Sequence, residues 1–214
     1  TPIGTATADE EGAWSYSPIL TDGQHNLSVT VTDAAGNVSE PSNIIAFNVD
    51  TVAPSAVTEL SIANNSVSGE PVIIPNGGLT NDSTPMFSGA GDPGSVIVIA
   101  SQNGELGTVT VGDSGRWSFT PQNPLTDGNY TLTVTARDAA GNLSAPVAAQ
   151  LTIDATPPAQ AADLTLSNDN GTTTVPIISG STTSDNTPLL AGTAEPGSRV
   201  NILDNGVPIG TAIA

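Results

Sequence analysis

Hydrophobic and polar positions alternate along much of the chain with a period of two. The clearest run is Tyr130-Thr131-Leu132-Thr133-Val134-Thr135-Ala136-Arg137, in which Tyr130, Leu132, Val134 and Ala136 share one face and three Thr and an Arg share the other. Such a pattern predicts a strand with one side in a core and the other in water. Read in the same way, the stretch from 55 to 154 predicts strands at 57–62, 85–89, 95–101, 105–111, 116–120, 129–137 and 147–153, with clusters of Gly, Pro, Asn and Asp between them. Trp117 and Phe119 alternate inward and anchor a core otherwise built from Val, Ile, Leu and Ala. The expectation is an all-β fold.

The chain also repeats itself. Trp14-Ser15-Tyr16 returns as Trp117-Ser118-Phe119, a shift of 117 − 14 = 103, and Asp33-Ala34-Ala35-Gly36-Asn37 returns as Asp138-Ala139-Ala140-Gly141-Asn142, a shift of 138 − 33 = 105. Asp82-Ser83-Thr84-Pro85 matches Asp185-Asn186-Thr187-Pro188, and Pro2-Ile3-Gly4-Thr5-Ala6 matches Pro208-Ile209-Gly210-Thr211-Ala212. The period predicts the C-terminal half of one repeat at 1–50, a complete repeat with its linker at 51–154, and the N-terminal half of a third at 155–214. The chain thus reads as an internal fragment that opens in mid-pattern. Seven strands in about one hundred residues is the immunoglobulin-like size and strand count. The joints, Asp50-Thr51-Val52-Ala53-Pro54 and Asp154-Ala155-Thr156-Pro157-Pro158, carry proline and read as short and stiff.

Composition narrows the function. Three Lys or Arg against 21 Asp or Glu give a formal net charge of −18, so nucleic acid and anionic lipid are poor partners. Only 11% of residues are charged while 37% are hydrophobic, so the acidity reflects missing Lys rather than a disordered acidic tail. No Cys and a single His remove a thiol nucleophile, a thiolate zinc site and a His-rich metal cage. That one His25 aligns with Tyr130, a position that reads as a tyrosine corner, and so takes a structural hydrogen-bonding role. No apolar run is long enough to cross a membrane as a helix. Gly89-Ala90-Gly91-Asp92-Pro93-Gly94 has the spacing of a dinucleotide loop but leads into a strand, leaving no helix end for a pyrophosphate.

Taken together and in order, Trp-Ser-Phe-Thr-Pro at 117–121, Asp-Gly-Asn-Tyr at 127–130, Asp-Ala-Ala-Gly-Asn-Leu-Ser at 138–144, Asp-Asn-Thr-Pro at 185–188 and Gly-Thr-Ala-Glu-Pro-Gly-Ser at 192–198 resemble a known family. The chain is similar to the bacterial Ig-like repeats of giant type I-secreted, RTX/SiiE-like surface adhesins. The resemblance implies tandem β-sandwiches in an extracellular stalk at the bacterial surface, with a spacer role. It also implies structural Ca²⁺ bound at the junctions, adjacent repeats as the immediate partners, and contact with a host cell through other regions of the parent protein. An alternative keeps the same fold but has the loops bind host glycan or protein directly. No catalytic role is expected.

Calcium takes six to eight oxygen ligands from carboxylates, amides and carbonyls. Running the strands up and down places the loops at 90–95, 112–115 and 138–142 at the end facing the preceding repeat. Asp92, Asp113, Asp138 and Asn142 are therefore candidate ligands, joined by Asp50 from the end of the previous repeat. Asp154 and Glu195 are their counterparts at the next joint, and Asp33, with Glu10 and Asn37, in the first half-repeat. At the opposite end Asp82 and its partner Asp185 are candidates too, although an Asp two residues before Thr-Pro also opens ordinary turns. Asp127 and Asp22 read first as turn acids beside the corner residue.

Overall fold

The computed structural model describes residues 2–65, 70–171 and 174–214. All regular structure in it is strand. Two compact units are present, Thr1–Ala155 and Thr156–Ala214.

In the first unit a two-stranded ladder comes first, β1 (Gly23–Leu27) paired antiparallel with β2 (Ile45–Val49). A complete two-layer sandwich follows. Its strands are β3 (Thr58–Asn64), β4 (Val72–Ile74), β5 (Gly78–Thr80), β6 (Met86–Ala90), β7 (Val96–Ser101), β8 (Gly104–Thr110), β9 (Arg116–Phe119), β10 (Gly128–Arg137) and β11 (Val147–Ile153). One sheet runs β4-β3-β6-β9 and the other β5-β11-β10-β7-β8. The seven strands expected from the alternation are all present. Two more, β4 and β5, were not expected: the chain passes from one sheet to the other between them, and β5 joins β11 in parallel while the other ladders of the sandwich are antiparallel.

The core lies between the two sheets and follows the period-two pattern. On β10, Tyr130, Leu132, Val134 and Ala136 are all buried and the residues between them face outward. Val134 lies opposite Ile99 and Ala136 opposite Ile97 across the β10–β7 ladder. Phe87, Trp117, Leu151 and Ile153 complete the cluster, with Phe119 packed at its edge against the Phe87 ring. Each such side chain contributes about 1.5–3 kcal/mol on burial. Trp117 demands room on β6: a Cβ at Gly89 would stand 2.8 Å from its Cζ2 and 2.9 Å from the Thr58 carbonyl. Only glycine fits there.

In the second unit β12 (Ala162–Asn168) lies between β13 (Val175–Pro176) and β14 (Leu189–Thr193), and β15 (Arg199–Asp204) forms a hairpin with β16 (Val207–Ile213). Asn205 and Gly206 make its two-residue turn, both at positive φ, as a hairpin turn that matches strand twist requires.

Candidate functional site

The joint between the half-repeat and the complete repeat carries a connected set of polar contacts. It is held from both sides. From the side of the half-repeat, Asp22 Oδ1 accepts the Thr51 N–H at 3.1 Å and the Thr51 hydroxyl at 2.9 Å. From the side of the complete repeat, Asp92 Oδ2 accepts the Ser55 N–H at 2.7 Å. The Asn142 side chain closes the arrangement by donating from Nδ2 to the Asp50 carbonyl at 2.9 Å, with the Val52 carbonyl at 3.4 Å. Asp50 itself accepts the Val52 N–H at 3.1 Å, a local turn that starts the linker.

Asn142 is aimed by Asp138. The carboxylate accepts the Asn142 N–H on Oδ1 and its Nδ2 on Oδ2, both at 2.8 Å. Asp33 and Asn37 form the same clasp at 2.8 and 2.7 Å. These bonds, led by the Asn side chain in each case, hold the Asp138 and Asp33 carboxyls below the ordinary carboxylate range. The tight turn that permits the clasp places Gly141 and Gly36 at φ of 97° and 90°.

The structure thus brings Asp50, Asp92, Asp138 and Asn142 to one joint. Asp113 sits exposed on the neighbouring 112–115 turn, whose Gly115 carbonyl accepts the Gly91 N–H of the 90–95 loop. Asp154 ends β11's ladder, its N–H on the Thr80 carbonyl, beside an open depression of about 320 Å³ lined by Asn64, Val72 and Leu79. Glu195 is exposed in the second unit, where its carbonyl takes the Ser198 N–H.

Asp82 and Asp185 are engaged differently. Asp82 is buried; its Oδ2 accepts the Asn65 N–H at 2.9 Å, and its Oδ1 accepts the Thr84 N–H at 2.9 Å and the Thr84 hydroxyl at 3.3 Å. Asp185 repeats this with Asp169 at 3.1 Å and Thr187 at 2.8 and 3.3 Å. The Thr187 N–H, foremost among its donors, lowers the Asp185 carboxyl from its usual value. Both acids close turns against the main chain.

Asp22 and Asp127 carry more than their turns. Asp127 Oδ1 accepts the Ala155 N–H at 2.8 Å, the counterpart of Asp22 on Thr51. Each grips the second residue beyond the last strand of its own repeat. The recurrence of Leu-Thr-Asp-Gly at 20–23 and 125–128 was the available signal. The corner itself is as expected: the Tyr130 hydroxyl donates to the Thr126 carbonyl at 2.9 Å, and His25 Nε2 bonds the Thr21 carbonyl at 2.7 Å.

Among the described residues, no three Asp, Glu or His side chains gather in a group able to hold a metal ion. The joint does gather oxygens around one point. The Asn142 Nδ2 has three about it: Asp138 Oδ2 and the carbonyls of Asp50 and Val52. Carboxylate and carbonyl oxygens are what a hard cation takes, so the set fits Ca²⁺ in chemical type. The Asn142 amide nitrogen stands at that point, both Asp138 oxygens accept from Asn142, and Asp92 is engaged with Ser55, so a cation there would have to displace the amide nitrogen.

The family model for the bacterial Ig-like domain matches residues 1–51 and 55–155. Over 147 residues the chain is 31% identical to Exoglucanase B of Cellulomonas fimi, a match that spans 68% of this chain and 12% of that protein. A solved structure of a tetra-tandem repeat in the extending region of a large adhesion protein aligns over 97% of this chain and 50% of its own, at 24% identity and a TM-score of 0.35. The sandwich, the twice-matched motifs and the family model agree: this chain belongs to the bacterial Ig-like domain family.

Proposed function

We propose that the chain is a spacer segment of a long extracellular bacterial protein, setting the distance and direction between other parts of that protein during cell adhesion. One observation carries this reading: the 50–55 linker is bonded to the repeat before it through Asp22 and to the repeat after it through Asp92 and Asn142. A linker whose N–H and carbonyl groups are taken up from both sides resists bending, whereas a free Gly/Ser tether does not. The acidic surface, net −18, keeps such a chain soluble and apart from its neighbours. The module does no chemistry in this reading, and the similarity to an exoglucanase is confined to 12% of that enzyme.

Calcium belongs to the same proposal. Asp138 and the Asp50 and Val52 carbonyls would hold it, joined by the Asn142 amide oxygen once that amide turned its nitrogen away, with Asp92 and Asp113 as further acids on the adjoining loops. A bound cation would supply charge neutralisation at the joint. Binding with Kd about 100-fold below ambient calcium would stabilise by roughly 2.7 kcal/mol. Small-angle scattering on the chain in millimolar Ca²⁺ and then in chelator tests both parts. A maximum dimension that is sharp with calcium and blurs on chelation supports the calcium-stiffened spacer. A sharp maximum dimension in both leaves the spacer and removes calcium; a blurred one in both overturns the spacer.

A further inference from the structure

The point at which the 50–55 joint closes is ringed by acceptors. Asn142 Nδ2 stands 2.8 Å from Asp138 Oδ2, 2.9 Å from the Asp50 carbonyl and 3.4 Å from the Val52 carbonyl. A carboxylate and two carbonyls have no proton to give, so the amide must turn its nitrogen toward them; its oxygen there would meet three others. The two nearer oxygens take the two amide hydrogens, and the Val52 carbonyl is left at the margin. Oxygens of these kinds are the partners of a hard cation, yet a donor already stands among them.

The loop aims that donor before the linker meets it. Residues 138–142 close on themselves, with the Asp138 N–H on the Asn142 carbonyl at 3.1 Å and the Asn142 N–H on Asp138 Oδ1 at 2.8 Å. A bridge between Arg137 and Leu143 shuts the loop at its base. The 33–37 loop is built in the same way, with Asn37 Nδ2 on Asp33 Oδ2 at 2.7 Å and a bridge between Thr32 and Val38. A side chain held in place beforehand loses little freedom when it takes its partner.

We infer that the Asn142 amide takes the place of a cation at this joint, so that the lock closes without metal and calcium enters only by turning the amide and breaking it. The inference rests on the spacer reading of the joint and gives calcium a lesser part, since here the cation replaces the lock rather than making it. Amide and cation are alternatives at one point, and residue 142 decides between them. Asn142→Asp keeps the shape but puts a carboxylate oxygen where the nitrogen stands. Four oxygens then face one another, a set that repels until a cation enters.

Spin labels at Gln24→Cys and Thr133→Cys, on β1 and β10, read the joint with Asn142, with Asn142→Asp and with Asn142→Ala, each in chelator and in millimolar Ca²⁺. With Asn142 the distance distribution should be narrow already in chelator, and calcium should not narrow it further. With Asn142→Asp it should be broad in chelator and narrow in calcium, and calorimetry should give a calcium Kd about tenfold or more below that with Asn142. With Asn142→Ala it should be broad in both media. The near-UV signal of the buried Trp117 checks that each variant keeps its sandwich. An Asn142→Asp joint that stays narrow in chelator, or that gains no calcium affinity, overturns the inference. A joint with Asn142 that is broad in chelator and narrow in calcium also overturns it, by giving the stiffness to the cation, and leaves the spacer reading standing. One that is broad in both media overturns the spacer reading and the inference with it. A second readout needs no substitution: in chelator the Asn142 side-chain amide protons should exchange with water about tenfold slower than those of the exposed Asn103. Equal rates contradict the lock.

Discussion

Asp82 separates two accounts of the acidic residues, one in which they hold the main chain and one in which they hold calcium. Its side chain is 2% exposed and takes the N–H groups of Asn65 and Thr84, both at 2.9 Å. Asp82→Ala leaves both donors without their acceptor. A buried group stripped of its partner costs about 1–3 kcal/mol, and these donors are only partly buried, so the sum is about 2–4 kcal/mol. Domains of this size hold about 5–15 kcal/mol in all, so the loss is large. Urea unfolding followed by tryptophan fluorescence, in which the buried Trp117 changes its surroundings more than the exposed Trp14, reads it once in calcium and once in chelator. The main-chain role predicts the same loss in both media, with the slope against urea unchanged. Asp82→Asn should recover part of it, because its amide oxygen can still accept one of the two bonds. A loss that appears only with calcium present would refute the reasoning and make Asp82 a ligand.

The Asp138 and Asp33 clasps lower their carboxyl pKa values, so the folded protein binds fewer protons than the unfolded chain through the ordinary carboxylate range, about pH 4. Their stabilisation is therefore full above that range and is lost as pH falls through the lowered folded values; amide exchange at Asn142 and Asn37 should speed up there, and Asp138→Asn should abolish the change at Asn142. Gly89→Ala puts a Cβ at 2.8 Å from Trp117 Cζ2 and 2.9 Å from the Thr58 carbonyl, for an expected loss of about 1–3 kcal/mol in urea unfolding and an altered near-UV tryptophan signal. Tyr130→Phe removes the bond to the Thr126 carbonyl and should cost about 0.5–1.5 kcal/mol, read as a lower melting temperature with the sandwich intact.

The strands were legible wherever one face met the core. β10 could be read residue by residue, because Tyr130, Leu132, Val134 and Ala136 alternate with Thr and an outer Arg. β4 and β5 could not be read that way. Pro71 and Pro75 bracket Val72–Ile74, and proline argues against a strand unless it lies at an edge or an end, as these do. β5 owes its state to a parallel partner, β11, more than sixty residues further along, and nothing local announces such a pairing. At the joint, up-and-down strand running was enough to place Asp92, Asp138 and Asn142 near the end of the preceding repeat. What each would hold there was less visible. The motif Leu-Thr-Asp-Gly reads as a turn from its own residues, yet Asp127 bonds an N–H 28 residues away. Such partners are chosen by the fold, and the periodicity of a single strand carries no trace of them.

The central claim is that main-chain bonds fix the direction of one repeat relative to the next across residues 50–55. Spin labels at Gln24→Cys and Thr133→Cys, exposed on β1 and β10, report the distance across that joint by electron–electron resonance. The account predicts one narrow distance distribution in dilute chain, broadened when Asn142→Ala and Asp22→Ala remove the bonds from either side. A distribution already broad in the unsubstituted joint, or one unmoved by both substitutions, would contradict it.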